Sequence, residues 1–116
     1  MTMASDPEET AKKAQRLYRA GKYAEAADAY GTAAQAWSAG GDELHAAEMR
    51  NNQSVALLQL EDYQGALEAA QGTDAVFADA GDMSRQGIAL SNQASALAGL
   101  GQRQKALKKY RQAADL

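Results

Sequence analysis

The chain has 116 residues, 46% hydrophobic but only 6% aromatic, with one Pro, ten Gly, no Cys and a formal net charge of −3. That length suits one domain that buries roughly two thirds of its unfolded surface. Without cysteine there is no disulfide, thiolate metal site or Cys nucleophile, which fits a cytoplasmic protein. Acidic and basic residues are interspersed, which leaves no electrostatic footprint for nucleic acid or an anionic membrane, and no apolar run approaches the roughly 20 residues of a membrane span.

The opening MTMASDPEET is polar and acidic, with neither the basic start nor the apolar core of a secretory signal. Asp6-Pro7-Glu8-Glu9 supplies an N-cap carboxylate, a first-turn proline and a glutamate three residues after the cap, and so predicts a helix over 7–20 that Gly21 ends. A second helix is expected over 22–38, closed by Gly40-Gly41, with Asp42 capping a third over 43–60. After a short turn at Glu61-Asp62 come a fourth helix over 63–80, a fifth over 83–100 capped by Asp82, and, beyond Gly101, a sixth over 102–115. Apolar spacings of three and four, as among Val55, Leu58 and the run Ala56, Leu57, Leu60, support helices and show no strand alternation.

The chain also repeats. Gly41, Asp42, Asn52, Gln53, Ala56, Leu57, Leu60, Ala66 and Leu67 recur 40 residues later as Gly81, Asp82, Asn92, Gln93, Ala96, Leu97, Leu100, Ala106 and Leu107. Shifting back by 40 from Tyr63, Ala66 and Ala69 gives Tyr23, Ala26 and Ala29, a more diverged first copy. The expected architecture is all-α: three antiparallel helical hairpins in one domain, with units near 7–40, 41–80 and 81–116, stacked because no hairpin can bury its apolar face alone.

Chemistry finds little support. The single histidine, His45, lies in the first turn of the third helix without an echo in the other units and reads as a surface residue. The carboxylates spread over exposed faces, no HExxH or EF-hand spacing occurs, and the glycine-rich turns lack the Lys and hydroxyl of a phosphate loop. Asp42 and Asp82 place a carboxylate where an anion would sit. No catalytic residue, metal or cofactor is expected.

GKYAEAADAYGTAA (21–34), EDYQGALEAAQGTD (61–74) and GQRQKALKKYRQAA (101–114) together resemble the tetratricopeptide repeat (TPR) family. In that family a small residue of helix B packs on helix A, the place of Ala26, Ala66 and Ala106, and an aromatic follows, the place of Tyr30 and Tyr110. The family repeat is commonly 34 residues; the 40-residue spacing with a longer helix B is similar to the extended subclass of kinesin light chains, polarity adaptors and bacterial regulators. Trp37 and Phe77 fall in the added turn. Ala70 stands where the second unit would carry the aromatic, and Arg103 where the third would carry its Tyr.

The resemblance implies a short right-handed α-solenoid whose inner helices line a groove for a peptide or helical segment of a protein partner, as in scaffolds and adaptors. Groove-facing residues would be Lys12, Gln15, Tyr18 and Arg19, then Glu48, Asn51, Asn52, Val55 and Gln59, then Ile88, Ser91, Asn92 and Ser95. Asn52 and Asn92 would either bond a ligand backbone through both amide groups or hydrogen-bond a neighbouring helix. Gln53 and Gln93 would turn into the hairpin interior as satisfied amides. The family's carboxylate clamp for chaperone tails is not matched, since Ala11, Gln15, Ile88 and Asn92 depart from it and Asn52 alone agrees.

Stacking also implies unlike ends. Arg16 stands where the later units carry Ala56 and Ala96 and, with Lys12 and Lys13, reads as a solvated N-terminal cap. Leu107, Tyr110 and Ala114 would form an uncovered edge, which points to self-association, with dimerisation through the last helix as the alternative function, or to a longer parent chain.

Overall fold

A computed structural model describes residues 6–116; residues 1–5, half of the stretch read for a targeting signal, lie outside them. Among the described residues every regular element is a helix: α1 (Pro7–Arg19), α2 (Tyr23–Ala39), α3 (Glu43–Gln59), α4 (Tyr63–Ala70), α5 (Thr73–Asp79), α6 (Met83–Gly99) and α7 (Arg103–Ala114). Among the described residues no helix is long and apolar enough to cross a membrane.

Local chemistry sets the helix ends. Asp6 accepts from Glu8 N at 3.0 Å to start α1, with Pro7 in the first turn and Arg16 and Arg19 in the last, where cations suit the helix dipole. Each long turn closes the same way, with a backbone N–H reaching a carbonyl five residues back: Lys22 to Leu17, Asp42 to Trp37, Asp62 to Leu57, Asp82 to Phe77 and Gln102 to Leu97, all at 2.9–3.0 Å. That closure needs one residue at positive φ. Glycine supplies it at four of these turns, but Glu61 does so at the third, with φ of 58°.

One expected helix is interrupted. The fourth does not run unbroken over 63–80: Gln71 is extended and Gly72 has φ of 79°, which divides it into α4 and α5. Glycine alone does not break the helix, because Gly31 stays helical inside α2. Here Thr73 Oγ1 bonds back to Ala70 O at 2.7 Å, and other side chains take the carbonyls that the break releases.

The helices pack in chain order, α2 between α1 and α3, then α3 against α4 and α5, and α6 against α3, α4, α5 and α7, in a body of 51 × 30 × 19 Å. Alanine dominates the interfaces: Ala14, Ala26, Ala33, Ala56, Ala66, Ala70, Ala89, Ala94 and Ala96 are fully buried. The larger core cluster joins Tyr30 and Met49 to the alanines of α1, α2 and α3, with Leu17, Tyr18, Trp37 and Leu57 at its rim, and a smaller one centres on Phe77. At the end of α6 the approach is closer still, for a Cβ on Gly99 would meet the Tyr63 ring.

Two stability outcomes follow from these backbones. Glu61→Gly removes a left-handed residue that carries a Cβ and should raise the urea midpoint, a gain of about 1 kcal/mol. Gly99→Ala should lower it by about 1–3 kcal/mol, because crowding Tyr63 outweighs the improved helix propensity.

Candidate partner-binding site

The site is built on the starts of α3 and α6. Asp42 Oδ1 accepts from His45 N at 3.0 Å, and its Oδ2 lies 2.7 Å from His45 Nδ1. A carboxylate only accepts, so Nδ1 carries the hydrogen. The His45 ring stacks on Trp37 at 4.5 Å with 23° between planes. Asp82 repeats the device: its Oδ1 accepts from Arg85 N at 3.0 Å and its Oδ2 from Arg85 Nη1 at 2.8 Å. Arg85 Nη2 then reaches Glu48 Oε1 at 3.5 Å, so an ion pair links α6 to α3. Such solvent-exposed pairs contribute little to stability, about 0–1 kcal/mol, and chiefly orient their side chains.

Trp37, His45, Glu48 and Arg85 border a cavity of about 420 Å³ lined also by Glu8, Ala11, Lys12 and Met49, so α1, the end of α2, α3 and α6 all contribute. It offers both signs of charge on an aromatic and thioether floor. Among the described residues no group of three or more His, Asp or Glu side chains comes together to hold a metal ion.

The groove residues expected from sequence separate into those the fold presents and those it withdraws. Lys12, Gln15 and Arg19 are exposed on α1, and Tyr18 is half-buried, its hydroxyl accepting from Gln59 Nε2 at 3.3 Å. Glu48 joins the Arg85 pair, while Asn52 and Val55 are half-buried on α3. On α6, Ile88 is exposed, Ser91 is half-buried and Ser95 lies 3.1 Å from the Tyr110 hydroxyl, which brings a groove residue and an edge residue together.

Asn51 requires correction. It is only 5% exposed and accepts from Thr73 Oγ1 at 2.9 Å, so it is turned toward α5 and is not free to meet a ligand. Asn92 is 8% exposed, and its Nδ2 has no hydrogen-bond partner. It sits one turn from Ile88 and two turns from Arg85 along the same side of α6. An unpaired buried donor costs about 1–3 kcal/mol, so its retention calls for a reason.

The two glutamines also part company. Gln93 is a buried, satisfied amide whose Nε2 donates to Ala70 O at 3.0 Å and Asp74 Oδ1 at 2.8 Å. Gln53 is half-buried and leans on Gly31 of the preceding hairpin, where an added Cβ would lie 2.6 Å from its Nε2, so it does not enter its own hairpin's interior.

Sequence reasoning missed the polar wiring of the α4/α5 break. Arg50 donates through Nε to Ala69 O at 3.1 Å and through Nη2 to Gln71 O, while Ser54 Oγ donates to Ala66 O at 2.8 Å. The Gly72-Thr73 pair was the one available signal. Arg50 gave none, because the matching residue of the next unit is Leu90.

A search of protein-family models, curated proteins and solved structures found no match to this chain.

The two caps carry a pH dependence. The backbone N–H of His45 is the chief cause holding the Asp42 carboxyl below its ordinary value, and that of Arg85 does the same for Asp82, with side-chain bonds adding to each. A depressed folded pKa contributes stability above the unfolded value near 4 and loses it as pH falls through the folded one. The urea midpoint should therefore fall between about pH 5 and about pH 3. Asp42→Asn with Asp82→Asn, which keeps a capping oxygen but does not titrate, should show a smaller fall in the same measurement.

Proposed function

We propose that the chain is a non-enzymatic protein–protein interaction module: three TPR-like hairpins in a short right-handed solenoid that holds a peptide or helical segment of a partner along the face shared by α1, α3 and α6. The observation that carries this reading is the Asn92 amide, buried and without an acceptor beside the exposed Ile88. The Nδ2 is itself buried, so a side-chain rotation must expose it before a ligand carbonyl, present in every peptide backbone whatever its sequence, can accept from it. Half-buried Asn52, at the equivalent position of the preceding unit, provides a second amide 40 residues earlier.

Mixed charge at Lys12, Glu48 and Arg85 favours a partner segment without a strong net sign, and Trp37 and Met49 supply apolar contact. So small a groove gives micromolar affinity, on the order of 8 kcal/mol. The non-enzymatic reading rests on the Asp42–His45 pair, which is accounted for as a helix cap with its ring stacked on Trp37. Acid–base chemistry would instead need that base aimed at a reacting group.

Asn52→Ala with Asn92→Ala should weaken capture of the partner about tenfold, the worth of two net hydrogen bonds, with circular dichroism unchanged. The measurement compares the proteins retained from the native organism by immobilised wild type and double variant; identical retention would remove the groove assignment.

A further inference from the structure

The repeat contains its own control for which surfaces are covered. Positions 27, 30 and 34 on α2 recur 80 residues later on α7 as 107, 110 and 114. In the first unit α3 packs over this face, leaving Ala27 3% and Tyr30 7% exposed; on α7 the equivalents Leu107 and Tyr110 are 47% and 42% exposed. Leu107, Tyr110 and Ala114 make one apolar stripe at spacings of three and four, with Arg103 one turn before Leu107 and Arg111 one turn after. Between Arg103 and Ala114 the helix carries five cations, Arg103, Lys105, Lys108, Lys109 and Arg111, and no carboxylate, in a chain whose net charge is −3.

A second copy fits this face poorly by either route. Pairing α7 with its own symmetry mate about the stripe brings Arg103 and Arg111 of one copy against the same two arginines of the other, while Lys105, Lys108 and Lys109 line a separate pocket beside Asp74. Continuing the stack head to tail would press α1 of the next copy onto α7, and there Arg16 stands where Ala56 and Ala96 are fully buried, adding both bulk and a sixth cation.

We infer that the exposed α7 face docks an amphipathic helix of a partner protein, with a stripe of small and aliphatic residues against Leu107, Tyr110 and Ala114 and acidic flanks against Arg103 and Arg111. The apolar stripe supplies the seat, as α3 does for α2. The cations supply orientation and choice of partner, since like charges at such a rim are rejected. The stripe adjoins the α1/α3/α6 face at Tyr110, whose hydroxyl lies 3.1 Å from Ser95 Oγ, but the proposal does not rest on that face.

The test uses the full chain and a labelled synthetic helix of about 18 residues with Ala and Leu on one face and Glu on both flanks, beside a twin with Lys for every Glu. Fluorescence anisotropy should show the Glu peptide binding at least tenfold tighter than the Lys twin, with affinity falling as salt rises. Leu107→Glu should cut binding at least tenfold, and Arg103→Glu with Arg111→Glu should reverse the order of the two peptides. Asn52→Ala with Asn92→Ala should leave binding unchanged, which separates this face from the groove. Equal affinity of the two peptides, no binding of either, or an unreversed order in the double Arg variant would overturn the proposal. So would sedimentation showing wild-type self-association that Leu107→Glu abolishes, or retention of the chain by anionic phospholipid vesicles with no peptide binding.

Discussion

Close approach through alanine is the constraint on which the other features depend. Nine alanines are fully buried between helices, whereas the large side chains of the interior are few: Tyr30, Met49, Phe77, Leu90 and Leu97. A buried methyl contributes little transfer energy by itself, so cohesion comes from backbones near enough for many weak contacts and from well-closed helix ends. The tolerance is correspondingly narrow. Gly99 under Tyr63 and Gly31 under Gln53 are points where a single methyl would already collide.

The same closeness explains why polar side chains appear inside a small helical protein. Interrupting the fourth helix at Gln71-Gly72 releases carbonyls that a buried apolar wall would leave unpaired. Arg50, Thr73 and Gln93 take them, and Thr73 in turn holds Asn51. These contacts, with the single Thr73 hydroxyl hydrogen shared between Ala70 O and Asn51 Oδ1, tie α3 and α6 to the broken helix. Asn92 Nδ2 and Trp37 Nε1 are the contrasting cases, donors buried as deeply but left unpaired. That contrast between satisfied and unsatisfied amides distinguishes structural polarity from a candidate binding group.

The charge distribution has a similar logic. Signs are interspersed over most of the chain, but residues 103–111 carry five cations, and on α7 two of them, Arg103 and Arg111, lie beside the exposed apolar stripe. On α1, Lys12, Lys13, Gln15, Arg16 and Arg19 are exposed, and Arg16 stands 40 and 80 residues before the fully buried Ala56 and Ala96. The outward side of α1 is thus polar, whereas that of α7 carries an apolar stripe.

The sequence by itself determined the helices, most of their ends and the unit length, because capping is local: Asp6, Asp42, Asp62 and Asp82 each act on an N–H two or three residues away. Of the residues expected on the groove face, Lys12 and Ile88 are exposed and Glu48 is half-buried, as helical periodicity fixes which side chains share a face. Only the tertiary structure decided the break in the fourth helix, the withdrawal of Asn51 and the different surroundings of Gln53 and Gln93. The fate of Asn51 depends on Thr73, 22 residues further along, and that of Gln93 on carbonyls released by a distant Gly72. Neighbouring side chains on a helix differ by about 100°, and which of them meets solvent, a partner or a buried carbonyl depends on what the rest of the chain packs against that angle.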